Sequence, residues 1–332
     1  MRIAIVNDVR AASEALRRVV EQLPGHELAW IAANGVEAIA LARRDRPDLI
    51  LMDLLMPHLD GAEATRQIMA SSPCAILVVT ATVSGNISLV YDAMGHGALD
   101  AVDTPVLGPA GAVSGVAPLV EKIGLIAKLV AAPSATPRPA PGPQTSGPTR
   151  LLVVGASTGG PKALCDLLLP LPHDWNAAVV IVQHVDVAFA PGLATWLTDR
   201  TGRPVRVAEH GQRPRPGDVL LAGTNDHLVL AAGGGLEYRV EPREIFFRPS
   251  VDVFFESVAT HGPKTGVAVV LTGMGRDGAR GLAALRHKGW HTIAQDEATS
   301  VVWSMPKAAI DAAAACEVLP VASMPAAITP RL

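Results

Sequence analysis

The sequence predicts two α/β domains, each with a mainly parallel sheet, joined by a proline-rich connector. Three observations carry that prediction. The 332-residue chain is too long for one typical domain and comfortable for two. Short apolar runs alternate with helix-like stretches on both sides of the middle, the pattern of parallel strands with crossover helices. Between them, residues 133–148 read PSATPRPAPGPQTSGP, a stretch whose prolines lack backbone donors and whose small side chains offer little to bury. Residues 131–149 are therefore expected to be a semi-rigid extended spacer between domains at 1–130 and 150–332.

In the first domain the strand candidates are Ile3 to Val6, Leu28 to Ala33, Leu49 to Met52, Ile76 to Val79, and Ala101-Val102. The second set begins with Leu151 to Val154 and continues with Ala178 to Val182, Val219 to Leu221, Val267 to Leu271 and Thr292 to Ala294. Helices are expected at Pro161 to Leu168 and Ala279 to Lys288. The stretch from Val205 to Val240, with shorter alternating runs and the turn Gly233-Gly234-Gly235, suggests an antiparallel excursion.

Composition excludes several function classes. Hydrophobic residues make up 49% and charged residues 18%, as in a globular protein, and the net charge of -3 with no long Lys/Arg run gives no footprint for nucleic acid. The N-terminal apolar run is too short for a signal peptide, and no later stretch reaches membrane-spanning length, so a cytoplasmic protein without membrane insertion is expected. Cys74, Cys165 and Cys316 form no Cys-x-x-Cys pair and read as core thiols.

In an open parallel sheet, ligands collect at the carboxyl ends of the strands. In the first domain those ends carry Asn7-Asp8, Asp53, Thr80 and Asp103-Thr104. Two carboxylates, Asp8 and Asp53, suit Mg2+, which takes one or two carboxylates plus water and phosphate oxygens. Asp53 would then accept a phosphoryl group. Spacing alone favours both aspartates as turn or capping residues.

In the second domain a strand at Leu151 to Val154 runs into Gly155-Ala156-Ser157-Thr158-Gly159-Gly160-Pro161 and then a helix. Such a turn exposes a serine at the sheet edge beside backbone N–H groups, as a nucleophile requires. The loop fails as a phosphate-binding P-loop, because Pro161 stands where lysine is needed, and as a dinucleotide fingerprint, because Gly-x-Gly-x-x-Gly is absent. A plain helix cap remains the alternative. His184 ends the next strand candidate, and Asp277 follows the strand at Val267 to Leu271, so three strand ends offer nucleophile, base and orienting acid. His287 and His291 have the separation of a zinc pair but lack the adjoining glutamate, and no metal is expected in this domain. Ser250, in Arg248-Pro249-Ser250-Val251-Asp252, is a candidate helix cap.

The segments LILMDLLMPHLDG, Asn7-Asp8 and Thr80 resemble a response-regulator receiver domain over roughly residues 1 to 130. GASTGGPKAL, VVIVQH, RPSVD, LTGMGRDGARGL and IAQDEATSVVWSMPKAA resemble the chemotaxis-type protein-glutamate methylesterases, the CheB family, from about Leu151 to Ile328. AMGHGALDAVDTP is similar to the surface-sensing Wsp-type branch. The resemblance implies hydrolysis of glutamate methyl esters, and often glutamine deamidation, on chemoreceptor cytoplasmic helices. By position it implies a Ser157, His184, Asp277 triad, with an oxyanion hole from the backbone N–H groups of Thr158 and Met274 and no cofactor for the esterase. In the receiver it implies phosphorylation at Asp53 by a CheA-like histidine kinase, Mg2+ held by Asp8 and Asp53, and Thr80 as the switch hydroxyl. Two positions depart from the family pattern: Asn7 replaces an acidic residue, and Thr104 precedes Pro105 where a lysine is usual. The rival from another class is a non-catalytic receptor-binding adaptor.

Overall fold

The computed structural model describes all residues except 82, 109–112, 131–149 and 246, together with the side chains of 84 and 128–130. The expected spacer at 131–149 thus lies outside the described residues. The chain divides into two compact units, one to Ser134 and one from Ala135.

The first unit runs β1 (Arg2–Val6), α1 (Arg10–Gln22), β2 (Glu27–Ala32), α2 (Gly35–Arg44), β3 (Leu49–Met52), α3 (Gly61–Ser71), β4 (Ala75–Thr80), α4 (Ile87–Gly95) and β5 (Asp100–Asp103). A short ribbon of β6 (Val106–Leu107) and β7 (Val113–Ser114) precedes α5 (Val116–Val130). The five-stranded sheet has the order β2-β1-β3-β4-β5, with every pairing parallel. β3 and the inner residues of β1 are buried on both faces, which is why they read as unbroken apolar runs rather than alternations. The topology reverses direction between β1 and β3, and that crevice is where Asp8 and Asp53 emerge.

The second unit contains β8 (Arg150–Ala156), α6 (Gly160–Leu168), β9 (Ala177–Gln183), α7 (Ala190–Thr201), β10 (Val205–Val207), β11 (Val219–Leu221), β12 (His227–Leu230), β13 (Leu236–Arg239), α8 (Val251–His261), β14 (Val267–Val270), α9 (Ala279–His287), β15 (His291–Gln295), α10 (Ser304–Asp311), β16 (Glu317–Leu319) and α11 (Met324–Ile328). Seven strands form a parallel sheet in the order β10-β11-β9-β8-β14-β15-β16. Here the sheet reverses direction between β8 and β14. The antiparallel excursion expected over Val205 to Val240 is smaller than that: β10 and β11 extend the parallel sheet, and only β12 and β13 pair antiparallel. Three-residue strands carry too little pattern to reveal their partners.

One core beneath this sheet gathers Val153, Val180, Phe254, Phe255, Leu282 and Trp290, so α8 and α9 are fixed against the strands that deliver the site. No helix among the described residues is long and apolar enough to cross a membrane. Cys74, Cys165 and Cys316 are half-buried free thiols, and burial pushes the Cys74 thiol up to about 11.

Candidate active site

The loop after β8 is shaped by close approaches. Gly159 lies at φ 77°, in the left-handed region where a side chain is disfavoured, and a Cβ at Gly160 would collide with Gln183 Oε1. Ser157 N donates to Thr272 O at 3.0 Å, and Gly160 N donates back to Ser157 O at 2.7 Å. The buried Gln183 amide donates both to Ser157 O (2.9 Å) and to His184 O (3.1 Å), tying the serine turn to the end of β9. Thr272 closes the other side: its hydroxyl lies 2.9 Å from Thr158 O, and Val302 N donates to it at 2.8 Å. Ser157 itself is buried, 8% exposed.

His184 and Asp277 are brought together, with Nε2 and Oδ2 2.8 Å apart. Burial alone would raise the Asp277 carboxyl. The hydrogen bond and charge of His184, with the backbone N–H groups of Asp252 and Val251, outweigh burial and hold it below the usual carboxylate range. An ionised carboxylate only accepts, so Nε2 carries the proton and the lone pair is on Nδ1. That Nδ1 is buried and has no hydrogen-bond partner. Ser157 therefore stands on the neighbouring loop, just after Ala156 of β8, whose carbonyl accepts from His184 N at 3.0 Å, without a side-chain bond to the imidazole. Such bonds often form only when substrate is in place. Phe247 stacks flat on the His184 ring, centroids 4.4 Å apart and planes within 4°.

Asp277 is further held by α8. Val251 N and Asp252 N donate to it at 2.7 and 3.0 Å, and Ser250 Oγ donates at 2.8 Å. Ser250 also caps α8, as its sequence context suggests, by accepting from Val253 N. Neither Thr158 N nor Met274 N donates to a protein acceptor among the described residues, which leaves both available for an oxyanion. His291 of the rejected zinc pair lies 2.9 Å from Glu317, itself bound by Arg331, while His287 Nδ1 bonds Ala283 O.

In the first unit Asp53 is buried at the end of β3. Its carboxyl is pushed up to about 6, first by burial and in smaller part by the Asp8 charge, against the N–H groups of Leu54 and Leu55. Asn7 Nδ2 donates to Asp53 Oδ2 at 2.9 Å, so the residue in the unusual position neutralises nothing but fixes the acceptor. Thr80 is buried, its hydroxyl accepting from Asn86 at 3.2 Å, and its carbonyl accepts from Thr104 N at 2.8 Å. No group of three or more His, Cys, Asp or Glu side chains gathers as a metal cluster among the described residues. Two hard carboxylates, Asp8 and Asp53, one of them raised mainly by burial, do fit Mg2+, which completes its shell with water and phosphate oxygens.

Phe247, Gln183 and Thr272 were not marked by sequence reasoning, since their roles arise from contacts across separate loops.

The receiver-domain profile of response regulators matches residues 3–108, and the CheB methylesterase profile matches residues 152–328. A protein-glutamate methylesterase/protein-glutamine glutaminase of Burkholderia thailandensis is 55% identical over 96% of this chain and 94% of its own. One of that name from Pseudomonas fluorescens is 51% identical over 100% and 98%. The crystal structure of the Thermotoga maritima CheB methylesterase catalytic domain superposes with a TM-score of 0.52 at 35% identity, covering 54% of this chain and 96% of that one. With its receiver unit, its sheet-edge serine and its buried His184–Asp277 pair, the chain belongs to the CheB methylesterase family.

Proposed function

We propose that this protein is a receiver-regulated protein-glutamate methylesterase that acts on methylated chemoreceptor cytoplasmic helices, with protein-glutamine glutaminase activity at the same site. The observation that carries this reading is the ionised Asp277 bonded to His184 Nε2 beside the Ser157 turn. Ser157 Oγ attacks the glutamyl ester carbonyl while His184 Nδ1 takes its proton. The N–H groups of Thr158 and Met274 stabilise the oxyanion. Collapse expels the methoxy group, which leaves as methanol with the proton from His184. Water, activated by the same imidazole, then cleaves the acyl-serine to the free glutamate. With a glutamine substrate, ammonia leaves in place of methanol.

In the receiver, Asp53 accepts the phosphoryl group from a CheA-like histidine kinase; Asp8 and Asp53 would hold Mg2+, which would supply charge neutralisation for the phosphoryl oxygens. Thr80 supplies the switch hydroxyl. Thr104 brings no ammonium to the acyl phosphate, so activation by phosphorylation is weak. In this reading 1–130 is the receiver, 131–149 the spacer and 150–332 the hydrolase, working in the cytoplasm where receptor and kinase present their domains.

The test is methanol release from methylated receptor cytoplasmic fragments, comparing the native chain with Ser157→Ala, each with and without a small acyl-phosphate donor. Release that disappears in Ser157→Ala supports the esterase. Folded protein that releases none, yet binds receptor, would mark a non-catalytic adaptor instead.

A further inference from the structure

The two oxygens of Asp277 have different neighbours. Oδ2 faces His184 Nε2 and Val251 N, whereas Oδ1 accepts from Ser250 Oγ (2.8 Å), Asp252 N (3.0 Å) and Gly278 N (3.1 Å). Ser250 is fully buried, and its backbone N–H points at the Nδ1 of His227, 3.2 Å away. His227, equally buried at the start of β12, has its Nε2 3.1 Å from the Pro242 carbonyl. A carbonyl only accepts and a backbone N–H only donates, so the His227 proton is on Nε2 and its lone pair on Nδ1. Ser250 Oγ accepts from Val253 N at 3.3 Å, which leaves its single proton for Asp277. A helix cap needs only the acceptor; the buried donor aimed at a carboxylate is additional to capping.

We propose that Ser250, held by His227, is a positioning residue for the hydrolysis: its hydroxyl fixes the Asp277 carboxylate by the oxygen that does not face His184. This rests on the proposed triad. Donation to Oδ1 stops the carboxylate from rotating away from Nε2, and it draws negative charge from Oδ2, which tempers how strongly the imidazolium is stabilised. The titratable and charged groups facing this carboxylate are His184 from the end of β9 and Asp252 from α8, with Arg280 of α9 lying 3.6 Å beyond Asp252.

The experiment measures kcat and KM against pH for methanol release from methylated receptor fragments by the full chain and by Ser250→Ala, Ser250→Thr and His227→Gln. Removing a hydrogen bond to a charged group lowers kcat in Ser250→Ala about ten-fold with KM nearly unchanged. Without the donor the imidazolium is better stabilised, so the acid limb of the profile moves to higher pH. Ser250→Thr, which keeps the hydroxyl, restores both kcat and the limb. His227→Gln leaves the hydroxyl but not its aim, and gives a smaller displacement in the same direction. It also decides the matter if Ser250→Ala does not fold. A native limb in both folded variants, even with reduced kcat, would overturn the proposal and leave Ser250 as a helix cap. Methanol release that persists in Ser157→Ala would instead refute the triad, a different failure.

Discussion

Asp252 and Asp277 each hold the helix that begins beside the other. Asp277, just ahead of α9, accepts from Val251 N and Asp252 N at the start of α8, while Asp252 accepts from Gly281 N in the first turn of α9 at 2.8 Å. Each carboxylate sits where a helix N-terminus favours negative charge. Because α8 and α9 are clasped in this way, the acid that faces His184 is set by two helices and not by its own loop alone.

Asp252 should therefore matter to stability, and in a pH-dependent way. Burial above all, with Asp277 and Glu256 adding to it, pushes its carboxyl up to about 6, against Gly281 N and Arg280. The folded state thus holds the proton more tightly than the unfolded chain. Stability is greatest below the unfolded value near 4 and declines as pH rises through 6. Asp252→Asn removes this decline and gains about 1 kcal/mol at pH 7 relative to the native chain, while Asp252→Ala, which strands Gly281 N, loses about 1–2 kcal/mol. Urea unfolding followed at pH 4 and pH 7 checks both.

The stack of Phe247 on His184 favours a positively charged imidazole, since an aromatic face attracts a cation. Phe247→Leu should lower kcat/KM by about three- to ten-fold, from the worth of an aromatic pair. It should also shift the acid limb to lower pH, opposite in direction to Ser250→Ala. Tryptophan at 247 would keep the limb near its native position. A pH profile of the two variants side by side distinguishes a stacked ring from a spacer.

Asp53 gives the receiver its own pH signature. With the folded carboxyl up at about 6, this group costs stability as pH rises from 4 to 7, and Asp53→Asn should recover about 2 kcal/mol of it at neutral pH. Millimolar Mg2+ should stabilise the native receiver at pH 7 and leave Asp53→Asn nearly unaffected. Thermal unfolding of the full chain with and without Mg2+ reads both effects in the receiver transition.

His58, in the loop between Asp53 and α3, has φ 69° although it is not glycine. Left-handed backbone is strained for a residue with a Cβ, so His58→Gly should stabilise the receiver by up to about 1 kcal/mol. Chemical denaturation compares the two proteins.

Much of this was legible in the sequence because strand ends in a parallel sheet converge. Ser157, His184 and Asp277 each follow an apolar run long enough to be recognised, and the sheet order then places all three strands, β8, β9 and β14, side by side. The receiver residues Asp8 and Asp53 also stand at strand ends, but on spacing they read as turn or capping residues, and only the receiver-like segment LILMDLLMPHLDG set them apart. What escaped was whatever depends on contact between distant loops. Phe247 sits in a segment without periodicity, and His227 looks like any polar start of a strand until Ser250 N is found 3.2 Å from its ring. β10 and β11 were misplaced because three apolar residues fit either a parallel or an antiparallel neighbour. The chemical reversal at His184, with Asp277 on Nε2, depends on the rotation of one ring, which no residue pattern records.

That reversal has a regiochemical consequence. In serine proteases of the chymotrypsin type the imidazole nitrogen distal to the main chain meets the nucleophile, whereas here the distal nitrogen is taken by the acid and the proximal one is left. A mechanism-based alkylating label that enters through the Ser157 acyl position should end on the proximal nitrogen of His184. The modified histidine recovered after digestion would then be the π-alkyl isomer rather than the τ-alkyl isomer, a distinction chromatography against synthetic standards resolves without any kinetic measurement.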